Sequence, residues 1–213
     1  MPEASWDGIP QSEKYEYFVI DMGLTKFTTR LTGTGTISQE AQEINLGTGT
    51  TLGSWAEATL GPAVHFSREI RTNILVSGII GVGTSVDYTN YQVYFGIAQP
   101  WLSTPNKPRV CFDILSGVVR ASCADGVATT TLGLGVTLPD DTFSRICTEI
   151  IFYPNAKAEF YIDGILKGII TNNLPNATQW GDPAQMSITN LAAENKHFLF
   201  GGCLITRIKK AVG

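Results

Sequence analysis

This sequence is short of charge: Asp, Glu, Lys and Arg supply 16% of its 213 residues, against about a quarter in ordinary globular chains. Solvent-facing helices are built largely from Glu and Lys, so the shortage, together with 22 glycines and abundant Thr, argues for strands and turns. It also implies that part of the surface is covered by neighbours rather than kept soluble by charge. With two histidines, His65 and His197, and four cysteines without a CxxC pair, a structural zinc site is poorly supplied with ligands. The net charge is -4, and the densest basic cluster is Arg207-Ile208-Lys209-Lys210. A phosphate-binding groove needs a basic stripe, so the reading is no nucleic acid partner. No apolar run is long enough to span a bilayer, which predicts no membrane partner. The polar opening Met1-Pro2-Glu3-Ala4-Ser5-Trp6-Asp7 holds no apolar signal core, and this predicts synthesis in a host cytoplasm without a secretion signal.

Hydrophobic residues make up 43%, enough for a folded core. The most informative stretch is Lys157-Ala158-Glu159-Phe160-Tyr161-Ile162-Asp163-Gly164-Ile165-Leu166-Lys167-Gly168. It reads as two alternating strands joined at Asp163-Gly164, a dipeptide suited to positive φ. Ala158, Phe160 and Ile162 then share one face, and Glu159, Tyr161 and Asp163 the other. Further strands are predicted at even spacing over 15–20, 65–80, 91–98, 109–115, 118–124, 126–131, 143–153, 166–171, 185–189 and 198–208. The two Gly/Thr segments between Thr32 and Ser54 read as edge strands or loops, because neither has the Gly-Lys-Ser/Thr ending of a phosphate loop. Cys111 and Cys123 flank a turn at Ser116-Gly117 and could be bridged; buried thiols are the favoured reading for all of Cys111, Cys123, Cys147 and Cys203. Residues 1–14, with Pro2, Gly8 and Pro10, are predicted to form an extended arm. Residues 15–213 are predicted to form one β-domain with its core over 64–210.

From about Val64 to Lys209 the chain resembles the concanavalin A-like lectin and glucanase superfamily, including laminin-G-like domains, of the kind found in phage virion surface proteins. The resemblance rests on Tyr91, Val93, Tyr94, Phe95, Gly96 and Ile97, the Cys111–Cys123 hairpin, the strand Ile146-Cys147-Thr148-Glu149-Ile150-Ile151-Phe152 and the hairpin at Asp163-Gly164. It implies an all-β, two-sheet antiparallel jelly-roll sandwich. The glucanases of that fold carry Glu-x-Asp-x-x-Glu on one strand, and no such triplet occurs. Glu159 and Asp163 stand about 13 Å apart along a strand, too far for a retaining carboxylate pair. The Arg-x-Glu-x-Arg strand of alginate-lyase-like members is matched at Glu69 and Arg71, with Ser67 replacing the first Arg. Their Gln-x-His and Tyr-x-Lys segments are missing, so Arg68, Glu69 and Arg71 read as cross-strand ion pairs. Asp87-Tyr88-Thr89-Asn90 has oxygen ligands but lacks the neighbours of a lectin metal loop, and no metal or other cofactor is expected.

No catalytic residue is assigned, and the expectation is a protein that is not an enzyme. Trp101, Trp180, Tyr88, Asn90 and Tyr94 are the candidate contacts to a glycan or protein partner, since exposed rings stack on sugar faces and loops carry binding residues. The favoured role is a structural protein of a virion surface (capsid decoration, head-fibre or tail-associated). Its partners are other virion proteins, further copies of itself and host glycans. The alternative is a lectin-like carbohydrate-binding module.

Overall fold

The computed structural model describes residues 15–21, 28–40, 43–60, 64–81, 89–99, 107–138 and 146–209. The arm predicted over 1–14 lies outside them. Sixteen strands and no helix occur among the described residues: β1 (Tyr15–Asp21), β2 (Thr28–Thr32), β3 (Thr36–Glu40), β4 (Glu43–Gly47), β5 (Trp55–Leu60), β6 (Val64–His65), β7 (Ile70–Gly81), β8 (Tyr91–Ala98), β9 (Arg109–Leu115), β10 (Val118–Ala124), β11 (Thr129–Thr137), β12 (Ile146–Tyr153), β13 (Lys157–Ile162), β14 (Ile165–Ile170), β15 (Trp180–Asn190) and β16 (Lys196–Lys209).

They form two antiparallel sheets. The first runs β14-β13-β12-β7-β16-β4-β3, and the second β11-β10-β9-β8-β15-β5-β2. In the first, β4 pairs with the start of β16 and β1 with its end, over Cys203 to Lys209. The first Gly/Thr segment is the turn that joins β2 to β3, the outer strands of the two sheets, and the second is the end of β4 and the loop leading to β5; both are connections, the loop half of the expectation. At Asp163-Gly164 the φ angles are +51° and +75°, the left-handed geometry that a two-residue hairpin turn requires.

Alternating side chains from the inner faces fill the space between the sheets. Phe95 and Phe112 of the second sheet stack with centroids 5.2 Å apart. Edge-to-face contacts then cross to the first sheet, Phe95 to Phe200 at 5.5 Å and Phe112 to Phe160 at 5.3 Å. Ala158, Phe160 and Ile162 are all in this core, and so are Ile44, Leu46, Ala56 and Ala58, which precede Val64. Burial of this alternating apolar set fixes strand register, because a one-residue slip turns every inner side chain outward.

Cys111 and Cys123 are both buried and unbridged. Cys111 sits opposite Ser122 and Cys123 opposite Val110, one register step out of line. Alternation sends Cys123 into the core and Cys111 to the outer face, so their sulfurs point to opposite sides of one sheet.

Candidate functional site

The outer faces of the two sheets differ in how their polar residues are held. On the first, Lys157 pairs with Glu159 at 2.7 Å and Arg71 with Glu69 at 2.8 Å, with the Lys157 side chain 40% exposed. In both pairs the carboxylate is largely covered, Glu69 at 11% and Glu159 at 10%, and the cation reaches solvent. On the second, the polar residues are sunk: Glu57, Asp113, Asp182, Arg109, Gln185, Ser187 and Ser122 are all buried.

Strand register assembles them. Arg30 (β2) lies opposite Glu57 (β5), Glu57 opposite Ser187 (β15), Ser187 opposite Tyr94 (β8), Tyr94 opposite Asp113 (β9), and Asp113 opposite Arg120 (β10). Each is on an outward position of its strand, since the residues on either side of it belong to the core on β5, β8, β9 and β15. A second row passes through Thr59, Gln185, Gly96, Cys111 and Ser122. At Gly96 the φ of +146° is open only to glycine, and a Cβ would lie 2.7 Å from both Ile150 Cδ1 and Val110 O. The middle of the face is therefore bare of a side chain between Gln185 and Cys111.

Two charged clusters flank this middle. In one, Arg30 Nη1 donates to Glu57 Oε1 at 3.0 Å and Gln185 Nε2 donates to Glu57 Oε2 at 2.5 Å. Asp182 belongs to it. Burial pushes its carboxyl up to about 6, the negative charge of Glu57 adds to that, and Arg30 and a hydrogen bond with Thr59 oppose it. Lys107 lies within reach of the same charges, and partial burial lowers its pKa. In the other cluster, Gln92 Nε2 donates to Tyr94 Oη at 2.6 Å and to Asp113 Oδ1 at 2.9 Å, while Arg120 Nη2 donates to Asp113 Oδ2 at 2.5 Å. Burial raises the Asp113 pKa against the pull of Gln92, Arg120 and Arg109. The Arg109 guanidinium rests over the Tyr94 ring at 5.1 Å and donates from Nε to Ser122 Oγ at 3.2 Å. Burial and the neighbouring Asp113 push the Tyr94 phenol upward, so it stays protonated. Two polar atoms of the face are buried without a hydrogen-bond partner, Gln185 Oε1 and Arg120 Nε.

Of the aromatic and polar contacts read from the sequence, Tyr94 lies within this face. Trp180 opens β15 opposite His65, is 41% exposed, and stands two residues before Asp182 at the end of the face. Asn90 adopts a φ of +61° and its carbonyl accepts from Leu191 N–H at 2.8 Å, which makes it a turn residue leading into β8. Trp101 and Tyr88 lie outside the described residues. The sequence reading missed Glu57, Asp113, Asp182, Arg109, Arg120, Gln92 and Gln185, and also Trp55, which shares the outward side of β5. A signal was available in Arg109-Val110-Cys111-Phe112-Asp113, where polar residues occupy alternate positions of an otherwise buried strand. Among the described residues, no group of three His, Cys, Asp or Glu side chains converges as a metal site would require.

No family model matches the chain, and no curated protein sequence matches it. Solved structures do. A β-glucanase from Bacillus licheniformis is 12% identical, with a TM-score of 0.61 over 92% of this chain and 98% of its own. A glycosidic hydrolase is 10% identical, with a TM-score of 0.65 over 92% and 97%. The carbohydrate recognition domain of Emp46p is 10% identical, with a TM-score of 0.57 over 86% and 88%. The fold is thus the concanavalin A-like jelly roll, shared with both sugar-cleaving enzymes and a sugar-recognising domain.

These neighbours overturn the expectation that the protein is not an enzyme, because two of them are glycan hydrolases built on the same two sheets. That expectation came from seeking carboxylates paired along one strand. On the sheet, Glu57 and Asp182 share one cluster, brought together from β5 and β15, and Asp113 of β9 lies in the other, about 14 Å away, an arrangement invisible to a search along the chain.

Proposed function

We propose that this protein recognises carbohydrate on the outer face of its second sheet. The observation that carries the reading is the sunken polar row from Arg30 to Arg120, with Gln185 Oε1 and Arg120 Nε buried and unpaired. Buried polar atoms are nearly always hydrogen-bonded, so an orphaned acceptor and an orphaned donor on one face point to a ligand that supplies both. Sugar hydroxyls do so, and the apolar faces of a pyranose ring suit the Tyr94 ring and the half-exposed Trp180 at the end of the face. The neighbours whose names speak of glucan, glycoside and carbohydrate support the same ligand class.

The test is titration calorimetry against a panel of oligosaccharides, with the same mixtures assayed for newly released reducing ends. Binding that is lost in Gln185→Ala and Tyr94→Ala supports the reading, and binding untouched by both refutes it. Released reducing ends would put the carboxylates of this face to catalytic use as well.

A second reading is an assembly role on a virion surface. It is favoured by β14, the outer strand of the first sheet, where Ile165, Leu166 and Ile169 are 59%, 44% and 43% exposed. An apolar outer strand is a template for pairing with another chain. Light scattering of the full chain, of a form lacking residues 1–14, and of Ile169→Lys tests it. An oligomer that both changes dissociate supports assembly, and a monomer throughout refutes it.

A further inference from the structure

The charges of the site are layered by depth. The carboxylates lie at the bottom: the Glu57 side chain is 0% exposed and that of Asp113 3%, and Asp182 is buried. Three of the cations reach higher: the Arg30 and Arg120 side chains are 26% and 25% exposed and Lys107 is partly exposed, while Arg109 is buried with the carboxylates. A ligand approaching from solvent therefore meets guanidinium and ammonium groups first. Among the described residues of the face the cations are Arg30, Lys107, Arg109 and Arg120 and the carboxylates Glu57, Asp113 and Asp182. Among the described residues, Arg109 is in direct contact with the hydroxyls of Ser122 and Thr129 and with the Tyr94 ring. Arg120 keeps its Nε buried and unpaired even though Nη2 is bonded to Asp113, so one donor of a fork that fits an oxyanion is left over.

The spacing adds a length requirement. Arg30 and Arg120 stand at the two ends of a row of six paired strands, β2-β5-β15-β8-β9-β10. Five strand spacings amount to about 24 Å. Between them lies the uncharged middle of Ser187, Gln185, Tyr94 and bare Gly96. A single sugar cannot reach both cationic ends.

Resting on the carbohydrate reading, we infer that the ligand is an acidic oligosaccharide, a chain of sugars bearing carboxylate or sulfate groups. It lies across the strands of the second sheet, with anionic groups met by Arg120 at one end, above the buried Arg109, and by Arg30 and Lys107 at the other.

Calorimetry on the full chain tests this with five probes: a galacturonic acid hexamer, a sulfated galactan hexamer, a glucose hexamer, galacturonic acid alone, and a single-stranded oligonucleotide of matching charge. An acidic hexamer should bind at least tenfold tighter than the glucose hexamer at low salt. It should also exceed its own monosaccharide, and lose its advantage as salt rises. Whichever acidic hexamer binds tighter identifies carboxylate or sulfate as the group recognised. Arg120→Gln and Arg30→Gln should each remove about tenfold of the preference. Should either fail to fold, the salt and length dependence of the natural protein decides alone. Equal affinity for the glucose hexamer overturns the inference and leaves carbohydrate recognition standing. No binding of any sugar overturns both, and an oligonucleotide that binds as tightly overturns the inference in favour of unselective polyanion attraction.

Discussion

Removing the Asp113 carboxylate is the sharpest test of the site's geometry. Its side chain is 3% exposed, and it accepts from Gln92 at 2.9 Å and from Arg120 at 2.5 Å, with Arg109 near enough to act on it electrostatically. In Asp113→Ala, Arg109 and Arg120 lose the carboxylate that burial has set between them. Breaking a fully buried pair costs about 3–5 kcal/mol. Because the Arg120 side chain is 25% exposed and can turn toward water, a loss of about 2–4 kcal/mol is the working figure. With a urea m-value of about 2–3 kcal/mol per molar, the unfolding midpoint followed by tryptophan fluorescence should fall by roughly 1 M. Arg120→Met alone should also destabilise, since it strands a buried carboxylate. The double variant should be more stable than the sum of the two predicts, with a coupling of about 1–3 kcal/mol. A loss below about 0.5 kcal/mol for Asp113→Ala with no coupling would mean that water solvates these groups, and would refute the sunken face on which the functional argument stands.

Three further outcomes are expected. Gly96→Ala should cost about 2–5 kcal/mol, from a φ closed to side chains together with overpacking against Ile150, and thermal denaturation reads it. The Asp182 carboxyl is raised to about 6 from 3.8, so the folded state holds its proton more tightly than the unfolded one. Stability from this group is fully present below about pH 4 and is lost as pH rises through 6, by about 1–2 kcal/mol once solvent screening is allowed for. Asp182→Asn should accordingly gain on the natural protein between pH 4 and pH 7 in parallel urea titrations, and a constant gap would contradict the buried setting. Cys147 is exposed and should react with a thiol reagent in the native state, whereas Cys111, its pKa pushed up to about 12 by burial, and Cys123 should react only on unfolding; mass spectrometry of timed labelling distinguishes them.

The alternation of Ala158, Phe160 and Ile162 around Asp163-Gly164, the Gly/Thr turns and the shortage of charge determined by themselves that the chain would be a β-sandwich, because period-two burial and positive-φ turns are local properties. The strand that carries Tyr94 was legible for the same reason, its alternation readable directly. The face it belongs to was decided by tertiary structure alone. Glu57 and Ser187 are far apart in sequence and adjacent in register, and nothing in either local segment announces the partner. Nor does any local segment tell that Arg109 and Asp113 are buried while Lys157, on an equally regular strand, stays near solvent. Alternation states which residues share a side of a strand. Which side is covered, and which carboxylates meet there, depends on the order in which strands pair, and that order is set by the packing of the whole core.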